Sequence, residues 1–343
     1  MTPHKLSIEQ LAGQRLIVGF EGTELSDEAK ALIADLSIGG IILFSQNLET
    51  PEQIRRLCTA AQEYATACGL PPLFIAIDQE GGQVARLKEP FTRFPGNAAM
   101  SGTADAVHFG RVTATELGSL GINMNMAPVM DVAFKPDSIM VQRSFGSSPR
   151  QVSRMGAAII DALQHNGIMA VAKHFPGIGR TTLDSHLDRP VLDTGWDQLA
   201  ESDLLPFETA ARHDVCGIML SHILYRGIDP HWPASLSAKI TRDILRRRMQ
   251  YKGLVMTDDL DMGAINKYCG IDTAMARLLA ADIDLALICH RGPNIRRAYE
   301  ILLKKLGRSA TMRERGLETA RRILTAKRKY LKKPPAANPH CSN

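Results

Sequence analysis

The sequence predicts an α/β fold, a single-domain (β/α)8 barrel of the TIM type. Three observations carry that prediction. Eight short apolar runs recur along the 343 residues, with amphipathic segments between them. The runs are continuously hydrophobic rather than alternating, as strands buried on both faces must be. Polar residues follow most of these runs directly, at the strand ends where barrel enzymes carry their chemistry. An open doubly wound sheet would alternate in the same way, but no run is followed by its glycine-rich dinucleotide fingerprint.

In chain order the runs are Leu16–Phe20, Ile38–Phe44, Leu73–Ile77, Ile122–Pro128, Ile168–His174, Gly217–Ser221, Gly253–Thr257 and Asp284–Cys289. Helical spacing falls on Pro51–Ala67, Asp105–Leu120, Gln151–Asn166, Ser237–Met249, Thr273–Ala281 and Pro293–Leu306, with a last helix over Arg315–Tyr330. Strand one ends Gly19-Phe20-Glu21-Gly22 and offers no imidazole. Asp78-Gln79-Glu80-Gly81-Gly82, with Arg86, follows strand three. Asp131 follows strand four, and Arg143-Ser144-Phe145-Gly146 lies further along that loop. Strand five delivers Lys173 and His174. Its loop, punctuated by Pro176, Gly177 and Gly179, closes on Asp184-Ser185-His186. Ser221 and His222 follow strand six, Asp258 and Asp259 follow strand seven, and His290 with Arg291 follow strand eight. No linker interrupts the pattern. One barrel over residues 1–335, including the C-terminal helix, and a disordered tail at 336–343 are expected.

Composition narrows the function classes. Hydrophobic residues make up 45% and charged residues 22%, as in an ordinary globular chain. No apolar run reaches 18 residues, so a membrane span is excluded. The start of the chain lacks a basic segment followed by an apolar one, and a cytoplasmic protein is expected. The six cysteines form no C-x-x-C pair, which argues against a thiolate zinc site and a disulfide framework. The net charge of +5 is concentrated from Arg313 onward, where nine basic residues face two acidic ones. Without interleaved aromatics this reads as the solvated face of the last helix rather than a nucleic-acid site.

The strand-end residues suit sugar chemistry. Pyranose hydroxyls need paired donors and acceptors, which Asp78, Arg86, Arg143, Lys173 and His174 supply. Glycoside hydrolysis then needs a proton donor to the leaving oxygen and a group across the anomeric carbon. Asp184 beside His186 fixes the imidazole's tautomer and raises its pKa toward working pH, the wiring of a general acid/base. Asp258 or Asp259 can serve as the carboxylate nucleophile. Glu80, His222 and Asp259 read as supporting residues behind the site.

These residues resemble the family 3 glycoside hydrolases, specifically the single-domain β-N-acetylglucosaminidases of peptidoglycan recycling. The resemblance spans roughly residues 8–305. It rests on Asp78 to Gly82, Asn125 to Val132, Arg143 to Gly146, Lys173 to His186, Pro233 to Ser237 and Gly253 to Asp258. It implies Asp258 as nucleophile, since that acid directly follows the threonine of the strand-seven motif, and His186 with Asp184 as acid/base. It implies Asp78, Arg86, Arg143, Lys173 and His174 as ligands of N-acetylglucosamine, with no cofactor and no metal. A small carbohydrate is the expected partner, drawn from muropeptides or related oligosaccharides, and a monomer the expected state. One departure stands out: many relatives carry His where this chain has Ile178, so altered loop packing is expected there. Three rivals stay open: a phosphorylase on the same barrel, a metal-dependent barrel hydrolase using His174, His186, His222 and Asp258, and a non-catalytic carbohydrate-binding barrel.

Overall fold

The computed structural model describes residues 2–183 and 189–331. All eight apolar runs become strands: β1 (Leu16–Val18), β2 (Gly40–Leu43), β3 (Phe74–Ile77), β4 (Met124–Asn125), β5 (Met169–Phe175), β6 (Gly217–Leu220), β7 (Leu254–Asp259) and β8 (Leu285–Ile288). They pair in parallel, each with its chain neighbours, and the barrel closes where Leu16, Ile17 and Val18 meet Ala286, Leu287 and Ile288.

The fourth run shortens to two ladder residues. Pro128 has no N–H to donate, and the chain continues beside β5 through irregular bonds. Val171 N–H donates to Ala127 O (2.9 Å), Lys173 N–H to Pro128 O (3.1 Å), and Met130 N–H to Lys173 O (2.6 Å). The seventh run lengthens instead, reaching Asp259 with an irregular register against β8 after Met256.

Helices α1 (Ile8–Gly13), α2 (Asp27–Leu36), α3 (Pro51–Ala67), α4 (Thr103–Leu120), α5 (Pro149–His165), α6 (Leu204–Arg212), the π-wound α7 (Lys239–Arg248), α8 (Gly270–Ala281), α9 (Pro293–Arg308) and α10 (Ala310–Tyr330) surround the barrel. The periodicity did not single out α2 or α6. Ser26 caps α2 by accepting from Ala29 N–H (3.2 Å). A π-wound turn, Leu199–Asp203, leads into α6 and breaks the 3.6-residue apolar spacing there. Strand side chains facing inward, among them Ile17, Phe74, Met124, Met169, Leu254 and Leu285, fill the lumen, while outward ones pack on the helices. No described helix is long and apolar enough to cross a membrane. The five described cysteines are free.

The last helix corrects one expectation. Its cations are not all solvated, because α10 lies across the foot of the barrel and buries Gly316, Thr319, Ala320, Ile323, Leu324 and Lys327. Ile323 joins the lumen cluster. The Lys327 ammonium donates to Gln14 Oε1 (2.8 Å) and Gly39 O (2.9 Å), just ahead of β1 and β2. Burial pushes its pKa well below the usual lysine range. Arg322 spans Asp284 (2.7 Å) and Asp282 (2.8 Å). Arg313, Arg321, Arg328 and Lys329 remain on the exposed side.

Candidate active site

At the C-terminal mouth of the barrel a cavity of about 410 Å³ is lined by Asp78, Arg86, Lys173 and Asp258, over an apolar floor that includes Met126 and Met219. A wider groove of about 890 Å³ lies at the other end, between α10 and the segment entering β7. It holds none of the candidate catalytic or sugar-binding residues, so the chemistry belongs to the smaller cavity.

Asp78 leaves β3 immediately after Ile77, and the next residues fold into a hairpin of Gln79–Gly81 against Val84–Ala85. Gly81 (φ 85°) and Gly82 (φ 61°) make its turn, a left-handed backbone that β-carbons disfavour. Asn125 of β4 clasps the hairpin through Gln79 N–H (3.0 Å) and Gln79 O (2.9 Å). Gln79 Oε1 in turn accepts from the N–H of Arg86 (2.9 Å) and Leu87 (3.1 Å). The hairpin thereby sets Asp78, Glu80 and Arg86 relative to the rim.

Charges alternate along that rim. Arg86 Nη2 reaches Asp78 Oδ2 (3.3 Å), and Lys173 Nζ reaches Asp78 Oδ1 (2.8 Å) and Glu80 Oε1 (2.6 Å). Arg143 grips Glu80 with two parallel bonds, Nε to Oε2 (2.9 Å) and Nη2 to Oε1 (2.7 Å). Burial works against ionising these carboxyls, yet Lys173 and Arg86 outweigh it and hold Asp78 down at about 2. Lys173 and Arg143 likewise hold Glu80 below the usual carboxylate range. The same pairs outweigh burial at Lys173 and Arg143 and raise both. Asp78, Glu80, Lys173 and Arg143 are therefore ionised near neutrality.

His174 extends the chain of contacts inward. Its Nδ1 lies 2.7 Å from Asp131 Oδ2, and its Nε2 lies 3.5 Å from Arg143 Nη2. Asp131, fully buried, also accepts from the backbone N–H of His174 (3.2 Å) and of Ile178 (2.8 Å). The geometry assigns the tautomer with Nδ1–H on Asp131 and Nε2 open as an acceptor. Ile178 is itself packed in the core, at 5% exposure.

The loop after β5 is tied down as far as residue 183. Tyr225 Oη donates to Gly177 O (2.7 Å), and Arg180 pairs with Asp203 (2.8 Å) while lying over the Phe134 ring. A β-carbon at Gly179 would collide with the backbone oxygen of Val132. The expected acid/base pair, Asp184 and His186, lies outside the described residues.

On β7, Asp258 is half-buried and faces the cavity. Its neighbour Asp259 also lines the cavity, but one of its oxygens is committed to the backbone. Asp259 Oδ1 accepts from the N–H of Asp261 (3.0 Å) and Cys289 (2.9 Å), bridging the irregular end of β7 to β8. Burial, with the nearby carboxylates, lifts Asp259 to about 6.

Of the sequence-predicted residues, Asp78, Arg86, Lys173, Asp258, Asp259 and His290 share the cavity, and Glu80, Arg143 and His174 join them through direct polar contacts. His222 does not reach it. It is fully buried, with Nδ1 on Ser235 Oγ (2.6 Å) and Nε2 on Asp259 O (2.8 Å), a clasp between the loops after β6 and β7. That arrangement removes His222 from the metal-dependent reading, and Asp131 already engages His174. Among the described residues no three His, Cys, Asp or Glu side chains gather as a metal site. The sequence reading gave Asp131 no role, although it lay just beyond strand four. Asn125 and Arg180 fell within the motifs that carry the resemblance but were given no role, and Asp203 and Tyr225 carried no signal, because their partners are distant in sequence.

Comparison with known proteins follows the same lines. The model of the glycosyl hydrolase family 3 N-terminal domain matches residues 6–326. A beta-hexosaminidase of Alkalilimnicola ehrlichii is 35% identical over 284 residues, covering 80% of each chain. One from Pseudomonas aeruginosa is 32% identical over 297 residues, covering 85% of this chain and 86% of the other. Among solved structures, a glycoside hydrolase family 3 beta-N-acetylglucosaminidase from Paenibacillus sp. superposes with a TM-score of 0.93 at 35% identity. It covers 97% of this chain, which spans 64% of that protein.

Proposed function

The chain belongs to glycosyl hydrolase family 3 and is a glycoside hydrolase of the β-N-acetylhexosaminidase kind. From that premise we propose that it releases terminal, non-reducing N-acetylglucosamine with retention, through a covalent glycosyl ester on Asp258. The observation that carries this reading is the shared cavity: Asp258 at the tip of β7 faces the same space as Asp78, Arg86 and Lys173.

In this mechanism the cation–carboxylate rim holds the sugar by its hydroxyls. Asp258 attacks the anomeric carbon as the bond to the leaving oxygen breaks, and His186, oriented by Asp184, gives that oxygen its proton. Water then attacks the anomeric carbon of the ester, His186 takes a proton from the water, and the bond from that carbon to Asp258 breaks to release the carboxylate. Such a proton carrier contributes about 10²–10⁴-fold in rate. The ionised Asp78, Glu80 and Lys173 support fixed-charge binding rather than proton transfer. The natural substrate is proposed to be a muropeptide, handled by a cytoplasmic monomer whose catalytic unit spans residues 1–335; this part rests on the family resemblance.

Turnover of an aryl N-acetylglucosaminide by wild type and by Asp258→Asn tests the assignment, with the first-formed anomer read by NMR. Loss of turnover in the variant and a β-anomer from wild type are expected. Wild-type turnover in the variant, or an α-anomer first, overturns it. Sugar 1-phosphate as the main product in phosphate buffer would make the enzyme a phosphorylase.

A further inference from the structure

The wall of the mouth cavity between β7 and β3 is built around Phe44, which follows β2. Arg86 lies over its ring, with Cζ 5.5 Å from the centroid, and His290 stacks near it at 6.3 Å with an interplanar angle of 17°. Strand β1 sends no polar side chain into this arc of the rim, so Arg86, Phe44 and His290 close it. The stack runs from the Asp78 cluster to the Asp258–Asp259 turn.

His290 is anchored and still open to the cavity. Its backbone N–H donates to Asp261 Oδ2 (3.2 Å), and its ring Nε2 lies 3.5 Å from Asp259 Oδ2. Its side chain is 69% exposed, and it lines the cavity together with Asp258. Asp259 Oδ1 is already occupied by two backbone N–H groups, so Oδ2 is the oxygen turned to the imidazole. A carboxylate on that side favours the tautomer with the proton on Nε2. Nδ1 is then a hydrogen-bond acceptor at the edge of the sugar site.

We propose that His290 is a substrate ligand: its Nδ1 accepts a hydrogen bond from a hydroxyl of the sugar held beside Asp258. The Phe44 stack and the Asp259 contact fix the ring so that little side-chain freedom is lost on binding. This places a specificity-determining residue just after β8. It rests on the reading of the cavity as the sugar site.

The test uses aryl N-acetylglucosaminide and its 3-, 4- and 6-deoxy analogues with wild type, His290→Ala and His290→Asn. For the parent sugar His290→Ala should raise KM about tenfold while kcat changes less than about threefold. One deoxy analogue should be handled alike by wild type and His290→Ala, because the hydroxyl that contacts Nδ1 is already missing. His290→Asn, whose amide oxygen can take the place of Nδ1, should recover most of the KM. Equal losses on every analogue, or no loss on the parent, overturn the inference. Asp258→Asn run in parallel separates the two readings. An active Asp258→Asn removes the sugar-site assignment itself, whereas an inactive one beside an unaffected His290→Ala removes only the role of His290.

Discussion

Asp131 holds His174 at two points, its ring and its own backbone N–H, with Asp131 Oδ2 2.7 Å from His174 Nδ1. The same carboxylate takes the N–H of Ile178, so one fully buried side chain fixes both a candidate sugar ligand and the base of the loop after β5. Removing it leaves several donors without an acceptor in a dry interior, where each charged-group bond is worth about 1.5–3 kcal/mol. Asp131→Ala should therefore lose about 3 kcal/mol or more of stability, read by denaturant unfolding. Asp131→Asn, close in shape, should fold but lose kcat/KM by tenfold or more on an aryl N-acetylglucosaminide.

Asp259 gives stability an unusual slope with pH. Its folded pKa, about 6, lies above the unfolded value near 3.8. The folded state therefore holds this proton more tightly, and the contribution is fully present below about pH 4 and lost as pH rises through 6. At about 1.4 kcal/mol per unit, the loss amounts to roughly 3 kcal/mol. Asp259→Asn keeps an oxygen for the two backbone donors and cannot ionise. Its unfolding free energy relative to wild type should improve between pH 4 and 7, and a parallel pH dependence in both proteins would refute the assignment.

Asp78 slopes the other way. Lys173 and Arg86 hold it at about 2, so its contribution is present above about pH 4 and lost as pH falls through 2. Lys173→Met strands two buried carboxylates on fewer partners, a change that costs about 3–5 kcal/mol in comparable sites. The acid-unfolding midpoint of this variant, followed by fluorescence, should move to higher pH. An unchanged midpoint would show that Arg86 and Arg143 sustain the two carboxylates without Lys173.

Gly179→Ala places a methyl group against the Val132 carbonyl, a backbone atom with no side-chain freedom to yield. Expected effects are about 2 kcal/mol or more of destabilisation and a fall in kcat, because the segment leading to His186 must shift. Gly195→Ala is the control, with open space around the new methyl group and no left-handed backbone. Equal thermal midpoints for the two variants would remove the steric argument.

Much of this architecture was legible in the residue pattern. Each apolar run became a strand, and the polar residues after strands three, five and seven arrived at one cavity, since a barrel sends all its strand ends to the same face. Helix α6 escaped notice because the π-wound turn over Leu199–Asp203 shifts the apolar spacing. Lys327 read as solvated although it falls on the stripe of Thr319, Ala320, Ile323 and Leu324. Residue type argued against burying it, and only the neutral oxygens at the foot of β1 and β2 make that site possible.

What the chain's own pattern determined was the barrel and the set of chemical groups delivered to its rim, because two-sided burial and strand-end placement are local consequences of residue order. Tertiary structure decided the pairings. Lys173 meets Asp78 across 95 residues, Arg143 meets Glu80 across 63, and His174 meets Asp131 across 43. It also tied Asp259, beside Asp258 at the cavity, to the backbone N–H of Cys289 just past β8, and withdrew His222 from the mouth. Closure of the sheet sets which strand ends are neighbours, and a buried charge takes the partner that geometry supplies.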